Sequence, residues 1–447
     1  MMKRLAANWA EAGSFFLFGI SLFLLYHSEA PWITEISLKF FRLINLHAIH
    51  THSFRELILL LQLPAYLALP FTQDVQILKS LYMLPCLFIP FVSLFLSWLF
   101  LREEDRFLIV WPTLGILLGS FQGQHQVDSE HMMVMQLTWP YLIALRGKLV
   151  QGPWILFSSL LLFFLHPIAL VSLALAAVVV WQQERMWAVV LIALSILRLF
   201  LIRFHHYDLW VIDHYLYTEQ GNLFVGLWTF SKNNLHLPLV NIIVLWSLGA
   251  SLWFNKRERP WWNLFALLLF ALSFLVPLYY GPDPSEAWAI YFRLNVFLVV
   301  PLFVGFLWRL QQGKSRAKMP TTLLGMSFCY FLCMFCMTQR WQQMERQIHE
   351  ELVLNQHLPC IAVEDLKAVP AAFKRYYPLT YYYLFSEGPR PKFLLTFREN
   401  CRLVSLVRNL DFLDPYVGVN NQSIPLKGFY FDFTDILANE KISSVFK

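Results

Sequence analysis

The stretch PWILFSSLLLFFLHPIALVSLALAAVVVW, Pro153 to Trp181, decides how this chain is threaded. It carries no Asp, Glu, Lys or Arg. A helix that crosses a bilayer needs about 20 apolar residues, so a run of this length is too long for one upright span. At its centre stands His166-Pro167. Proline removes a backbone donor and commonly marks an element boundary, and the stretch is therefore read as two spans, 152–165 and 168–181. One tilted, kinked span is the alternative, and every later loop changes side with the choice.

The charges of the flanking loops discriminate between the two, because loops on the cytoplasmic side collect Lys and Arg. With the split and an inside N-terminus, the inner connections hold Lys3 and Arg4; Arg102 and Arg106; Arg146 and Lys148; Arg185; Lys256, Arg257 and Arg259; and Arg309, Lys314, Arg316 and Lys318. The short outer loops hold almost none. An unsplit stretch would send the clusters at 256–259 and 309–318 outside. The reading is thus eleven spans, near 9–26, 80–101, 107–122, 132–145, 152–165, 168–181, 186–204, 237–254, 261–280, 289–309 and 320–338, with the C-terminus beyond the membrane.

Composition agrees, since 57% of the 447 residues are apolar and only 14% are charged, against about a quarter charged in soluble domains. The net charge of +6 is spread over interhelical loops and forms no stripe, which argues against a nucleic-acid partner. Gly13 to Tyr26 follows Lys3 and Arg4 as a signal peptide would, but His27-Ser28-Glu29-Ala30-Pro31 offers no small-x-small cleavage site. It is read as a retained first span.

The fold class is therefore an α-helical polytopic membrane protein with a small α+β soluble C-terminal domain. Residues 1–338 form the transmembrane part and 339–447 the extracytoplasmic domain. The first outer loop, 27–79, is too long to be structureless. Its middle mixes Phe40, Phe41, Ile44, Leu57 and Leu61 with Lys39, Arg42, His47 and Arg55, as one or two interfacial helices would, with Pro64 and Pro70 ending them. A surface helix without catalytic duty has the same composition. In the C-terminal part, Trp341–Leu354 reads as a helix continuing out of the last span, and 392–397, 403–407 and 428–433 read as strands. Cys360 and Cys401 are the two cysteines there, and an oxidising compartment would allow a bridge that closes a loop of about 40 residues.

Sorting ionisable residues by expected side puts the chemistry outside. The inner loops mix Glu103, Glu104, Asp105, Glu184 and Glu258 with Arg or Lys, the pattern of solvated loop charges. Glu29, just past the first span, is a carboxylate near the lipid boundary whose raised pKa would suit a general base; an ordinary interfacial charge is the other reading. Between spans three and four, His125, Asp128, Glu130 and His131 sit in one short loop, where Asp128 and Glu130 offer hard oxygen ligands to a divalent metal or hydrogen bonds to an acceptor. His205 and His206 lie in a later outer loop. Arg198, Arg203 and Arg293 lie toward outer span ends, where guanidinium either binds a lipid phosphate or snorkels to headgroups. His166 is read as structural, satisfying a backbone carbonyl at a helix turn.

This layout resembles the GT-C class of membrane glycosyltransferases. The likeness rests on an inside N-terminus, a long first outer loop with interfacial helices, Glu29 soon after span one, the acid-x-acid pair Asp128-Ser129-Glu130, many further spans and an outer C-terminal domain. The resemblance implies transfer of a sugar from a polyprenyl-(pyro)phosphate donor to a lipid, glycan or protein hydroxyl. Glu29 would act as base, Asp128 and Glu130 would support acceptor or metal, and Arg198, Arg203 and Arg293 would hold phosphate. A bacterial inner membrane, with envelope-assembly proteins as partners, is the expected setting. Another envelope polysaccharide enzyme, a lipid or polysaccharide transporter and a noncatalytic assembly subunit are the competing readings.

Overall fold

The computed structural model describes residues 2–27, 35–47, 49, 59–120, 130–181, 183–201, 318–358, 360–369, 383–385 and 394–396, together with 264, 267–268, 270–271, 299, 302–307, 398, 401 and 430. These are mostly helical. Among the described residues, three helices are long and apolar enough to cross a membrane, within Asn8–His27, Val75–Phe100 and Thr321–Asn355.

Helix α4 (Val75–Phe100) shows how the sequence produces such an element. The Asp74 side chain accepts hydrogen bonds from the backbone N–H groups of Gln76 and Ile77, at 2.8 and 3.3 Å, and so caps donors that the first turn leaves open. Its 26 residues extend about 39 Å at 1.5 Å per residue. Leu84, Phe88, Phe91, Phe95 and Leu99 recur every three or four residues along an exposed face, while Leu78, Tyr82, Cys86, Ser93 and Ser97 are buried. An exposed apolar stripe of that length is solvated by lipid chains, not water. Pro85 and Pro90 lie inside the helix, where lipid-embedded helices tolerate them.

Hydrogen bonds fix the directions of the neighbours. Helix α1 (Met2–His27) runs antiparallel to α4: Tyr26 Oη meets Ser80 Oγ at 3.3 Å at one end, and Trp98 Nε1 donates to Glu11 at 2.9 Å toward the other. A 3-10 turn, Glu103–Ile109, leads into α5 (Val110–Ser120), and α6 (Glu130–Arg146) returns beside α4, where the Ser93 hydroxyl donates to the Gln136 carbonyl. One end of the bundle therefore holds His27, Asp74, Ser120 and Glu130. The opposite end holds 101–106 and 147–152.

The stretch from Pro153 to Trp181 is two helices, α7 (Pro153–Phe163) and α8 (Ala169–Trp181), followed by α9 (Arg185–Leu201). They form a hairpin. Gly152 N–H donates to Glu184 Oε2 at 3.4 Å, which brings the start of α7 level with the end of α8. Tyr141 Oη meets Ser159 Oγ and Thr138 Oγ1 meets Ser172 Oγ, each at 2.6 Å, so α6 touches both arms at matching depth. Ser195 Oγ donates to Leu170 O at 2.8 Å and aligns α9 antiparallel to α8. The arms span only about 17 and 20 Å, short of the roughly 30 Å hydrocarbon core.

Several details depart from the sequence reading. Helix α4 begins at Val75, not near residue 80, because Asp74 supplies a cap. Glu130 and His131 open α6 and do not belong to the preceding loop, acids being favourable in a first turn. In the first connection, α2 (Glu35–Leu46) is no surface helix: Ile36 through Asn45 are all buried, Lys39 and Arg42 included. Phe40 packs edge-on to Tyr82 of α4 at 5.6 Å and to Phe385 of the C-terminal part at 5.1 Å. Pro64 lies inside α3 (Leu59–Ala68) and does not end it; the proline forfeits one helical hydrogen bond, and burial of Leu61, Gln62 and Ala65 offsets that loss.

Helix α10 (Lys318–Asn355) runs unbroken for 38 residues, carrying the chain from the bundle into the C-terminal part. There β1 (Cys360–Ala362) and β2 (Leu394–Thr396) pair in parallel, Cys360 opposite Leu394. A disulfide joins Cys360 to Cys401 across a Cα separation of 5.8 Å. Glu351 accepts from Lys367 N and Ala368 N, both at 2.8 Å, and ties α10 to this unit. Arg398 N donates to Glu364 at 3.0 Å while its guanidinium pairs with Asp365. The remaining expected spans and strands, 237–254, 403–407 and 428–433 among them, lie largely or wholly outside the described residues.

Candidate functional site

Of the groups expected to do chemistry, Glu130 and His131 stand at the end of the bundle that holds His27 and Asp74. Phe385 on Phe40, and the Tyr430 hydroxyl within electrostatic reach of Asp74, bring the C-terminal part to that same end. Burial, then the Asp74 carboxylate, push the Tyr430 phenol above its ordinary range. Tyr383 is pushed up as well, first by burial and then by Glu345, a residue of α10. Both shifts keep the phenols in the neutral form.

Arg198 is the charged group of the expected site that the structure positions. It lies on α9, about 20 Å along the helix from Arg185, and is 2% exposed. Its guanidinium stands over the Phe163 ring, 5.3 Å from the centroid, at the closed end of the α7–α8 hairpin. The side chain thus turns into the bundle and does not snorkel to headgroups. A guanidinium kept from water in this way interacts strongly with an anion. His166 sits in the same turn, its Nδ1 accepting the Ile168 N–H at 3.2 Å, a backbone contact with an amide and not with the carbonyl the sequence suggests.

Of the other expected residues, Glu130 and His131 open α6. Glu29, His125, Asp128, Arg203, His205, His206 and Arg293 lie outside the described residues. Among the described residues no three His, Cys, Asp or Glu side chains are grouped to hold a metal ion. The sequence reading missed Lys39 and Arg42 as buried cations of this end. Their spacing of three within an amphipathic segment is visible in the sequence, but not that the folded chain buries them. It also missed the hydroxyl pairs Thr138–Ser172 and Tyr141–Ser159, which hold the hairpin against α6 as polar pairs hold helices in lipid.

No family model matches this chain, and neither does any curated protein or solved structure.

Proposed function

We propose that this chain is a GT-C-like membrane glycosyltransferase with eleven spans, placed in a bacterial inner membrane with its C-terminal domain in the periplasm. The observation that carries the proposal is convergence: the end of α1, buried α2, the start of α6 and the C-terminal part gather at one end of the bundle. In this reading Glu29 takes the proton of an acceptor hydroxyl as that oxygen attacks the anomeric carbon. The bond to the polyprenyl phosphate breaks on the opposite face, and the phosphate leaves with the electron pair. Arg198, Arg203 and Arg293 neutralise it, and Asp128 and Glu130 hold the acceptor or a divalent metal. The donor is a polyprenyl-linked sugar, and the acceptor a lipid, glycan or protein.

The short arms of α7 and α8 favour a second reading, because transporters build substrate sites from interrupted helices. The two readings separate in one experiment. Polyprenyl-linked sugars and envelope glycans are profiled by mass spectrometry in cells carrying Glu29→Gln, Asp128→Asn or Arg198→Gln at wild-type protein levels. A transferase predicts accumulated donor and lost glycosylated product. Reconstituted protein that moves labelled lipid between leaflets without changing its mass would favour the transporter, and unchanged profiles would overturn both.

A further inference from the structure

At the opposite end of the bundle, three connections enclose a cavity of about 400 Å³. Arg102 and Asp105 come from the α4–α5 connection, Arg146 and Lys148 from the end of α6, and Gln183 from the α8–α9 turn. Buried Leu101 and Ile143 give it an apolar floor. Among the described residues Arg102, Arg146 and Lys148 make no ion pair, so three cations face one carboxylate around a shared space. Burial, and next the neighbouring Glu104, raise the pKa of that carboxylate, with Arg102 opposing the shift.

Cations collect at helix C-termini because the last carbonyls are open. At the end of α6 most of those carbonyls are already used. Leu101 N donates to Ser97 O, and the end of α6 closes with Lys148 N on Leu145 O and Leu149 N on Ala144 O. Lys148 itself occupies the left-handed position of this motif at φ 58°, where glycine is the favoured residue and a side chain costs about 1 to 2 kcal/mol. Gly147 stands one place too early to relieve it. The fold thus keeps a lysine over the cavity at a cost in stability, which calls for a role for its ammonium group.

We propose that this cavity binds a phosphate-bearing anion at the membrane surface, held by Arg102, Arg146 and Lys148 with Gln183 as a neutral donor. The same chemistry is offered by an anionic phospholipid headgroup and by free phosphate. The site lies at the other end of the bundle from the proposed transfer centre, and its test leaves that reading untouched.

The test uses the full-length protein in two arms. Native mass spectrometry of protein taken from phosphatidylcholine vesicles with or without one-fifth phosphatidylglycerol counts retained lipid. Inorganic phosphate titrated against delipidated protein, read by thermal shift, probes the soluble source. One retained phosphatidylglycerol identifies a headgroup and saturable stabilisation by phosphate identifies the free ion; either supports the site. Lys148→Gly relieves the backbone and should raise the melting temperature while weakening binding by about tenfold or more, the loss expected for one charge-assisted hydrogen bond. Arg102→Gln provides the same loss without touching the α6 turn. Binding in neither arm, or unchanged binding in both variants, overturns the proposal.

Discussion

Gly115 of α5 lies flat against Trp139 of α6: a Cβ on Gly115 would stand 2.2 Å from Trp139 Cζ2. The indole is fully buried and continues into Phe303 and Phe306, with ring centroids 4.2 and 5.6 Å away. Gly115→Ala therefore forces the ring out of a packed cluster. Overpacking of this kind costs about 1 to 3 kcal/mol. The expected outcome is a lower melting temperature of the detergent-solubilised protein, and the double variant Gly115→Ala with Trp139→Phe should recover part of it. Full wild-type stability in the alanine variant would show that α5 and α6 do not meet this closely.

The hairpin predicts a labelling pattern. Because Gly152 is bonded to Glu184, Gln151 and Gln183 lie at one end of the bundle. Single cysteines at these two positions, in a chain whose native thiols are replaced, should react with a membrane-impermeant maleimide from the same side in oriented vesicles. Reaction from opposite sides would mean that residues 153–181 cross once, as a kinked span.

Replacing Cys360 and Cys401 by serine should destabilise the C-terminal part. The bridge spans a sequence separation of 41, and a loop of that size corresponds to about 4 kcal/mol in the chain-entropy model. Limited proteolysis measures it. Cleavage beyond residue 358 should rise sharply in the variant, and a thiol count on unfolded wild type should give four free groups without reductant and six with it.

Asp105 gives a pH dependence. Its folded pKa lies above the usual 3.8, chiefly through burial, so the folded state favours the neutral carboxyl. The stability it contributes is complete below pH 3.8 and is lost as pH rises through the raised value. Asp105→Asn should flatten that part of the melting profile and leave the protein no less stable at pH 7. A variant whose stability falls at pH 7 would contradict the sign.

Much of the helical layout could be read from the sequence because apolar runs and proline act locally. His166-Pro167 marked the hairpin turn, and Trp341–Leu354 was read as helix extending beyond the last apolar run, which α10 is. What the sequence could not convey depends on remote partners. The amphipathic pattern of α2 is the same whether its polar face meets water or protein, and only the burial of Lys39 and Arg42 distinguishes these. β1 went unread because three residues, Cys360–Ala362, become a strand only through their register with Leu394–Thr396. Of the expected site, Arg198 was legible as an intramembrane cation, but not the Phe163 ring beneath it. The cluster of Arg102, Arg146 and Lys148 read as ordinary loop charge, since no spacing in the chain says that three connections share one cavity.

Helix α10 has mechanical consequences. An uninterrupted rod of 38 residues is about 57 Å long, and Glu351 clamps its far end to the backbone at 367–368. Pivoting it by about 10° around its middle would swing Asn355 by about 5 Å, roughly one helical turn's pitch. Rearrangements among the packed helices would thus be carried along the rod to the C-terminal part. The C-terminal part is coupled to the bundle as a lever is to its fulcrum.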